Sequence, residues 1–173
     1  MVKKALLVID MLNDFIRKEG RLYIGDKGKE IILVIQKRLE YFRKSGEPIF
    51  YICDNHHHDD QEFKLFPSHC IKGTWGAEVI DELKPENNDI IIYKRRYSGF
   101  FQTDLDLTLR ERGISKLELV GVCTNICVLY TAASARMLNY PVTIWKNAVT
   151  SFDQEAHNFA LQQMKDVLGV TVR

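Results

Sequence analysis

The sequence predicts an α/β fold with three layers, in which a mainly parallel sheet lies between helices on both of its faces. The first supporting observation is that short β-branched apolar runs alternate with amphipathic stretches along the whole chain, as βαβ units do. The second is the composition, since 46% hydrophobic and 27% charged residues are globular values. The third is a length of 173 residues without repeats or low-complexity tracts, which predicts one domain over residues 1–173.

The apolar runs are predicted to be strands because each is short and bounded by turn signals. They span residues 5–9, 48–53, 89–93, 116–120, 142–145 and 170–172. Stretches with helical periodicity lie at residues 27–45, 74–83, 104–112, 125–139 and 153–168. Gly46, Gly113 and Gly169 follow three of these stretches, as is typical of helix C-termini. Asp153 is a predicted N-cap.

The charge and hydropathy patterns exclude several functional classes. A net charge of +1 gives no basis for nucleic-acid or anionic-membrane binding, and no apolar run approaches the roughly 20 residues that span a bilayer. The basic N-terminus resembles a signal peptide, but Asp10, Asn13 and Asp14 interrupt the apolar stretch that follows. Four cysteines without a C-x-x-C pair favour free thiols. The sequence therefore predicts a cytoplasmic protein with a small-molecule partner, and it leaves monomer and homo-oligomer open.

The segment 121–127, with the sequence GVCTNIC, contains the most informative cysteine. Cys127 falls in the first turn of a predicted helix, just beyond the carboxyl end of a predicted strand. Unpaired N–H groups and the positive dipole end at a helix N-terminus favour a thiolate over a thiol. Cys127 is therefore a candidate nucleophile. The alternative is a small buried hydrophobic residue, which most cysteines are.

Two charged residues are predicted to share an edge of the sheet with Cys127. Asp10 directly follows the first predicted strand, and Lys94 follows the third. Ligands of doubly wound sheets bind at the carboxyl ends of the strands, where a carboxylate can transfer protons and an ammonium group can hold neighbouring charges. The three side chains together predict a cysteine amidohydrolase. Taken singly, Asp10 suits a turn and Lys94 a solvated strand end.

The irregular stretch 54–73 is long for a loop in a compact domain, and such loops are often functional. It carries four metal-binding side chains, namely Asp54, His56, Glu62 and His69. Two imidazoles with one or two carboxylates suit Zn²⁺, Fe²⁺ or Mn²⁺. The alternative is a polar surface loop, which is the fate expected for His57 and His58.

Aromatic residues lie in or beside the same segments. Phe15, Phe66 and Tyr97 could hold a flat substrate ring by offset or edge contacts. Core or lid packing is the alternative for each of them.

Five segments together resemble the isochorismatase-like cysteine hydrolases, and within that superfamily the nicotinamidases. They are LVIDMLNDF at 7–15, DNH at 54–56, FPSHC at 66–70, Lys94 with YSGF at 97–100, and GVCTNIC at 121–127. The resemblance runs from about residue 4 to the C-terminus. It departs from the family at Phe66, where many relatives have tryptophan, and at Cys123, where alanine is frequent.

The resemblance implies a fold, a site and a reaction. The fold would be a six-stranded, mainly parallel sheet between helices, with a cis peptide between Val122 and Cys123. The triad would be Asp10, Lys94 and Cys127, and the backbone N–H groups of Cys123 and Cys127 would form the oxyanion hole. One divalent metal ion, zinc ahead of iron or manganese, would be bound by Asp54, His56 and His69, with Glu62 matching a further ligand found in some nicotinamidases.

The reaction implied is hydrolysis of nicotinamide to nicotinate and ammonia through a thioester, with the metal anchoring the ring nitrogen. Phe15, Phe66 and Tyr97 would hold the ring. The alternatives are a superfamily hydrolase acting on isochorismate or on a ureido or carbamoyl amide, and a non-catalytic scaffold, since a fold alone does not fix a function.

Overall fold

Within residues 3–173, the part of the chain that the computed structural model describes, six strands form one sheet. The strands are β1 (Lys4–Ile9), β2 (Ile49–Asp54), β3 (Ile90–Lys94), β4 (Lys116–Val122), β5 (Val142–Thr150) and β6 (Thr171–Val172). The α-helices are α1 (Asn13–Ile16), α2 (Lys27–Glu30), α3 (Ile32–Ser45), α4 (Leu105–Glu111), α5 (Leu129–Met137) and α6 (Gln154–Asp166). Met1 and Val2, with which the predicted domain begins, lie outside the described residues.

The strand order places a crevice at the centre of the sheet. The order is β3-β2-β1-β4-β5-β6, and each neighbouring pair is parallel. The chain first winds outward from β1 through β2 to β3, and then returns to the other side of β1 for β4. The order therefore reverses between β1 and β4, which is the point where doubly wound sheets bind ligands beyond their carboxyl ends. The predicted α/β class with a parallel sheet is confirmed.

Helices cover both faces of the sheet. Successive residues of a strand face opposite sides, so in β1 Leu6 and Val8 pack with residues of α3, such as Phe42. Leu7 and Ile9 pack on the other face, against residues of α4, α5 and α6. Burial on both faces explains why β1 is an uninterrupted apolar run rather than an alternating one.

Gly121 brings the end of β4 close to the end of β1. Its φ is +114°, a conformation that side-chain-bearing residues rarely adopt. A Cβ atom at this position would lie 2.0 Å from the carbonyl oxygen of Ile9. Glycine is therefore required where the two central strands meet the crevice.

The helix predicted at 74–83 is wrong. The structure has two short 3₁₀ turns instead, Trp75–Ala77 and Asp81–Leu83. Between them the backbone pairs with the segment that follows β1: the N–H of Asn13 donates to the carbonyl of Glu78, and the N–H of Ile80 donates to that of Met11. These tertiary hydrogen bonds replace the bonds that a helix would have made within itself.

Other predicted elements differ at their ends. The helix predicted at 27–45 is divided at Ile31 into α2 and α3. The helix predicted at 125–139 begins with a π-helical turn, Thr124–Val128, before α5. The strand predicted at 142–145 continues to residue 150 across an irregularity in its pairing with β4. Among the helices described between residues 3 and 173, none has the length and apolar character needed to cross a membrane.

Candidate active site

Asp10, Lys94 and Cys127 converge at the carboxyl edge of the sheet. The Nζ atom of Lys94 lies 2.9 Å from Oδ2 of Asp10 and 3.4 Å from Sγ of Cys127. All three residues are buried. The structure thus brings together the three side chains that the sequence proposed as a triad.

Three strand ends and one hydrogen bond position these side chains. Asp10 follows β1, Lys94 is the last residue of β3, and Cys127 lies in the π-helical turn after β4. Asp10 has a φ of 51°, which is uncommon for a residue other than glycine. Its Oδ1 accepts a 2.8 Å hydrogen bond from the backbone N–H of Asp54, at the end of β2. This bond fixes the carboxylate in the crevice.

Burial and mutual charge set the protonation of the three groups. Burial lowers the pKa of Lys94, but Asp10, Asp54 and Cys127 together raise it well above its usual value, so the amine is an ammonium ion. Burial, reinforced by the charge of Asp54, raises the pKa of Asp10 to about 6.

The sequence predicts a thiolate at Cys127, but the structure favours the protonated thiol. Burial, aided by the charges of Asp10 and Asp54, raises the pKa of the thiol well above its usual value, and Lys94 only partly opposes this effect. The contribution of the helix N-terminus is outweighed, because a buried anion beside two carboxylates is disfavoured. The sulfur therefore holds its proton at rest, and a base must remove it.

Three of the four predicted metal ligands, Asp54, His56 and His69, form a compact group in which one ligand atom of each lies within 4.8 Å of the others, and Glu62 lies beside it. The Nε2 atoms of His56 and His69 lie 3.7 and 3.8 Å from Oδ2 of Asp54, and each lies 4.0 Å from Oε1 of Glu62. Tetrahedral ligands bound at zinc distances are separated by roughly 3.4 Å. The observed spacing is slightly longer and suits a divalent cation at the centre.

The hydrogen bonds of the two imidazoles support the same conclusion. Nδ1 of His56 faces Oδ2 of Asp60 at 3.2 Å, and Nδ1 of His69 faces the carbonyl oxygen of Pro67 at 2.7 Å. Both partners are acceptors, so each Nδ1 carries the proton and each Nε2 presents a lone pair to the cluster. Among the described residues, Nε2 of His56 and Oε2 of Glu62 are buried without a hydrogen-bond partner. A bound metal ion would satisfy such atoms.

Asp54 contacts both Lys94 and the two predicted histidine ligands of the metal. One carboxylate oxygen accepts a hydrogen bond from Nζ of Lys94, and the other faces His56 and His69. Burial alone would raise the pKa of Asp54, but Lys94 and the two imidazoles hold it well below its usual range. Asp54 is therefore ionised, and it connects the triad to the predicted metal ligands.

A cleft of about 340 Å³ opens beside the cysteine. The three predicted aromatic residues, Phe15, Phe66 and Tyr97, all line it. Its remaining lining residues are Leu22, Asp54, Glu62, His69, Cys123, Ile126, Cys127 and Phe152. Among the described residues that line the cleft, two carry a carboxylate and none is a lysine or an arginine. The cleft is therefore mostly apolar and aromatic, and both of its carboxylates belong to the predicted metal ligands.

Several residues of the site were not predicted from the sequence. Leu22, Ile126 and Phe152 line the cleft, but as apolar residues they could not be distinguished from core residues. Phe152 had one usable signal, because it follows β5 at the same edge of the sheet as Asp10. Asp60, the acceptor for His56, was also missed.

Asp14 anchors the loop that carries His69. Its Oδ2 accepts a 2.7 Å hydrogen bond from the backbone N–H of Cys70, and its Oδ1 accepts one of 2.9 Å from that of Arg21. Asp14 is buried in α1, directly beside Phe15. One carboxylate thus fixes the position of His69 relative to an aromatic wall of the cleft.

The segment after Lys94 is bound to the helix that follows the cysteine. The hydroxyl groups of Ser98 and Ser134 are 2.8 Å apart, and the N–H of Gly99 donates to Oγ1 of Thr131 at 2.9 Å. Ser134 and Thr131 lie in α5. These contacts fix the segment after Lys94 against the helix that follows Cys127.

Comparison with known proteins gives full-length matches. The isochorismatase domain model matches residues 4–173. The isochorismatase family protein PncA of Bacillus subtilis (strain 168) is 41% identical over 181 aligned residues, which cover 99% of this chain and 99% of that protein. A crystal structure of nicotinamidase/pyrazinamidase PncA from Bacillus subtilis has a TM-score of 0.94 and 40% identity, and the match covers 99% of each chain.

Two further solved structures are similar over nearly their whole length. N-carbamoylsarcosine amidase from Thermoplasma acidophilum has a TM-score of 0.91 and 38% identity, covering 99% of this chain and 96% of that chain. Pyrazinamidase of Pyrococcus horikoshii in complex with zinc has a TM-score of 0.92 and 30% identity, covering 99% of this chain and 98% of that chain. Each match extends over the segments that carry the candidate site.

Proposed function

This chain belongs to the isochorismatase domain family, and on that premise we propose that it is a nicotinamidase, a metal-dependent cysteine hydrolase that converts nicotinamide to nicotinate and ammonia. The observation that carries the proposal is the contact of the buried Lys94 with both Asp10 and Cys127 beside an aromatic cleft. The similarity to Bacillus subtilis PncA, described as a nicotinamidase/pyrazinamidase, supports the choice of substrate.

In the proposed reaction, Asp10 accepts the proton of Cys127, and the sulfur attacks the carboxamide carbon. The backbone N–H groups of Cys123 and Cys127 stabilise the oxyanion, and each such donor is worth about 3 to 4 kcal/mol. Asp10 then gives its proton to the amide nitrogen, the C–N bond breaks to release ammonia, and a thioester remains on Cys127. A water molecule deprotonated by Asp10 hydrolyses the thioester to nicotinate, and the proton returns to the sulfur. Lys94 holds the charged groups in place.

The residues that would hold one divalent metal ion are Asp54, His56, Glu62 and His69. Zinc is favoured ahead of iron or manganese, because two imidazoles and two carboxylates suit it and a related pyrazinamidase structure contains zinc. When bound, the ion would act as a Lewis acid that anchors the ring nitrogen directly or through water. Phe15, Phe66 and Tyr97 would hold the ring by edge and face contacts.

The predicted metal site argues against isochorismate as the substrate, because that chemistry has no ring nitrogen to anchor. N-carbamoylsarcosine is a linear molecule and has no ring for Phe15, Phe66 and Tyr97 to hold. The intact contacts among Asp10, Lys94 and Cys127 argue against a non-catalytic scaffold. One domain over residues 1–173 and a cytoplasmic location stay predictions of the sequence.

Ammonia release from three reactions tests the proposal. We expect release from nicotinamide, little or none from N-carbamoylsarcosine, and loss of the nicotinamide reaction after chelation, because the ring would lose its anchor. Restoration by added Zn²⁺, Fe²⁺ or Mn²⁺ identifies the metal. Faster hydrolysis of N-carbamoylsarcosine would contradict the choice of substrate, and full activity after chelation with verified metal removal would contradict the role of the metal.

The pH dependence of the reaction follows from Asp10. Burial and the charge of Asp54 raise its pKa to about 6, and only the ionised carboxylate can accept the proton of Cys127. As the pH falls below this value, kcat/KM is expected to decrease about tenfold per pH unit. A pH profile of kcat/KM, with circular dichroism to show that the chain stays folded, checks this. A plateau that continues to about pH 5 would contradict the assignment of Asp10 as the base.

A further inference from the structure

Asp60 is a buried carboxylate that joins two parts of the site. Its side chain has no exposed surface, and it accepts hydrogen bonds from groups on two separate segments of the chain. The neighbouring Asp59 is exposed. A carboxylate is buried in this way only when its partners compensate for the loss of water, so the identity of those partners indicates what Asp60 does.

The first group of partners belongs to the predicted metal ligands. Oδ2 of Asp60 lies 3.2 Å from Nδ1 of His56 and so fixes the proton on that nitrogen. Oδ1 accepts a 3.1 Å hydrogen bond from the backbone N–H of Glu62. Asp60 therefore orients both the imidazole of His56 and the backbone of Glu62.

The second group of partners follows Lys94 directly. Nε of Arg95 donates a hydrogen bond to Oδ2 of Asp60 at 2.9 Å, and Nη1 of Arg96 donates one to Oδ1 of Asp60 at 3.0 Å. These guanidinium groups balance the charge of Asp60, which lies beside a cluster that already contains Asp54 and Glu62. They also connect the loop of the metal ligands to the end of β3.

We propose that Asp60 is a positioning residue that sets metal affinity, by holding His56 with its Nε2 lone pair toward the cation and by tying the loop of Glu62 to Arg95 and Arg96. This inference rests on the metal site of the proposed function. Partners in this position typically contribute a factor of about 10 to 100 in metal affinity. Asp60 touches neither substrate nor reacting atoms, so its effect is exerted through His56 and Glu62.

The test is the Zn²⁺ affinity of the metal-free chain, measured by competition with a chromophoric chelator, for the wild type, Asp60→Asn and the control Asp59→Asn. Asparagine keeps the shape but replaces one acceptor oxygen with an NH₂ group, so it cannot accept both from His56 and Arg95 on one side and from Glu62 and Arg96 on the other. We expect Asp60→Asn to bind Zn²⁺ about 10 to 100 times more weakly and Asp59→Asn to match the wild type. Equal affinity of all three proteins would overturn the inference.

A second measurement separates positioning from a general structural role. A merely structural role would lower the melting temperature of the metal-free chain and leave the Zn²⁺ affinity of the folded protein unchanged, which would also overturn the inference. If Asp60→Asn does not fold, Arg95→Gln tests the same inference, because the side chain of Arg95 is partly exposed and its replacement should leave the fold intact. We expect Arg95→Gln to bind Zn²⁺ more weakly than the wild type. An Arg95→Gln protein with wild-type Zn²⁺ affinity would overturn the inference. A wild-type chain that binds no Zn²⁺ would contradict the metal site of the proposed function as well.

Discussion

Replacement of Cys127 with alanine is expected to lower nicotinamide hydrolysis by about 10⁴-fold or more, since removal of a nucleophile in comparable enzymes has effects of this size. Of the described side chains in contact with Lys94, which are Asp10, Asp54 and Cys127, only that of Cys127 can form the thioester. The fold should persist, because the change removes only one sulfur atom from a residue at the edge of the cleft. Ammonia release under single-turnover and steady-state conditions measures the effect.

Cys53→Ala is the matched control for this variant. Cys53 is a buried thiol in β2 that does not line the cleft, so its loss should leave ammonia release near the wild-type rate. Mass spectrometry of the wild type mixed with nicotinamide and quenched by acid should show an acyl group on Cys127. Retained activity in Cys127→Ala, or an equal loss in Cys53→Ala, would show that the assignment of the nucleophile is wrong.

Asp10→Asn is expected to lower kcat by about 10²- to 10⁴-fold, the usual contribution of a positioned general acid or base. The amide cannot take the proton of Cys127, whose raised pKa makes a base necessary. Its oxygen can still accept the hydrogen bond from the N–H of Asp54, so the local backbone should be retained. Steady-state kinetics together with circular dichroism measure the effect on activity and on the fold.

Asp153→Asn is a suitable control for the loss of a carboxylate near this edge of the sheet. Asp153 caps α6 by accepting from the N–H groups of Glu155 and Ala156, and asparagine caps helices about as well as aspartate. We expect its activity and unfolding temperature to match the wild type. An Asp10→Asn enzyme that keeps a tenth of the wild-type kcat would contradict the role of Asp10 as the base.

The convergence of Asp10, Lys94 and Cys127 could be predicted because it depends on strand ends. Asp10 and Lys94 each end an apolar run, and parallel strands bring their carboxyl ends to one edge. The sequence therefore indicated which residues would meet before any side-chain geometry was known. The thiolate predicted for Cys127 was wrong, because the protonation of the sulfur depends on its burial and on Asp54, which the sequence assigned only to the metal.

Residues on the long loop were harder to predict, because local sequence does not determine which side chains turn inward. Asp59 and Asp60 are identical neighbours, yet one is exposed and the other buried. Asp60 turns inward to His56 and to the N–H of Glu62, and it also accepts hydrogen bonds from Arg95 and Arg96, more than thirty positions later. The false helix at 74–83 has a similar origin, since its backbone is paired with residues of a distant segment, Met11 and Asn13.

The shared carboxylate of Asp54 has a consequence for genetic dissection of this enzyme. Any substitution there perturbs Lys94 and the imidazole pair at the same time, so an inactive Asp54 variant cannot reveal which half of the chemistry failed. To separate the two effects, His56 or His69 must be substituted in one variant to disturb only the predicted metal site, and Cys127 in another to disturb only the reacting sulfur. By thermodynamic reciprocity, a metal ion that changes the affinity of an inhibitor bound beside Lys94 has its own affinity changed by that inhibitor by the same factor, so inhibitor and metal titrations on this protein are best designed as a pair.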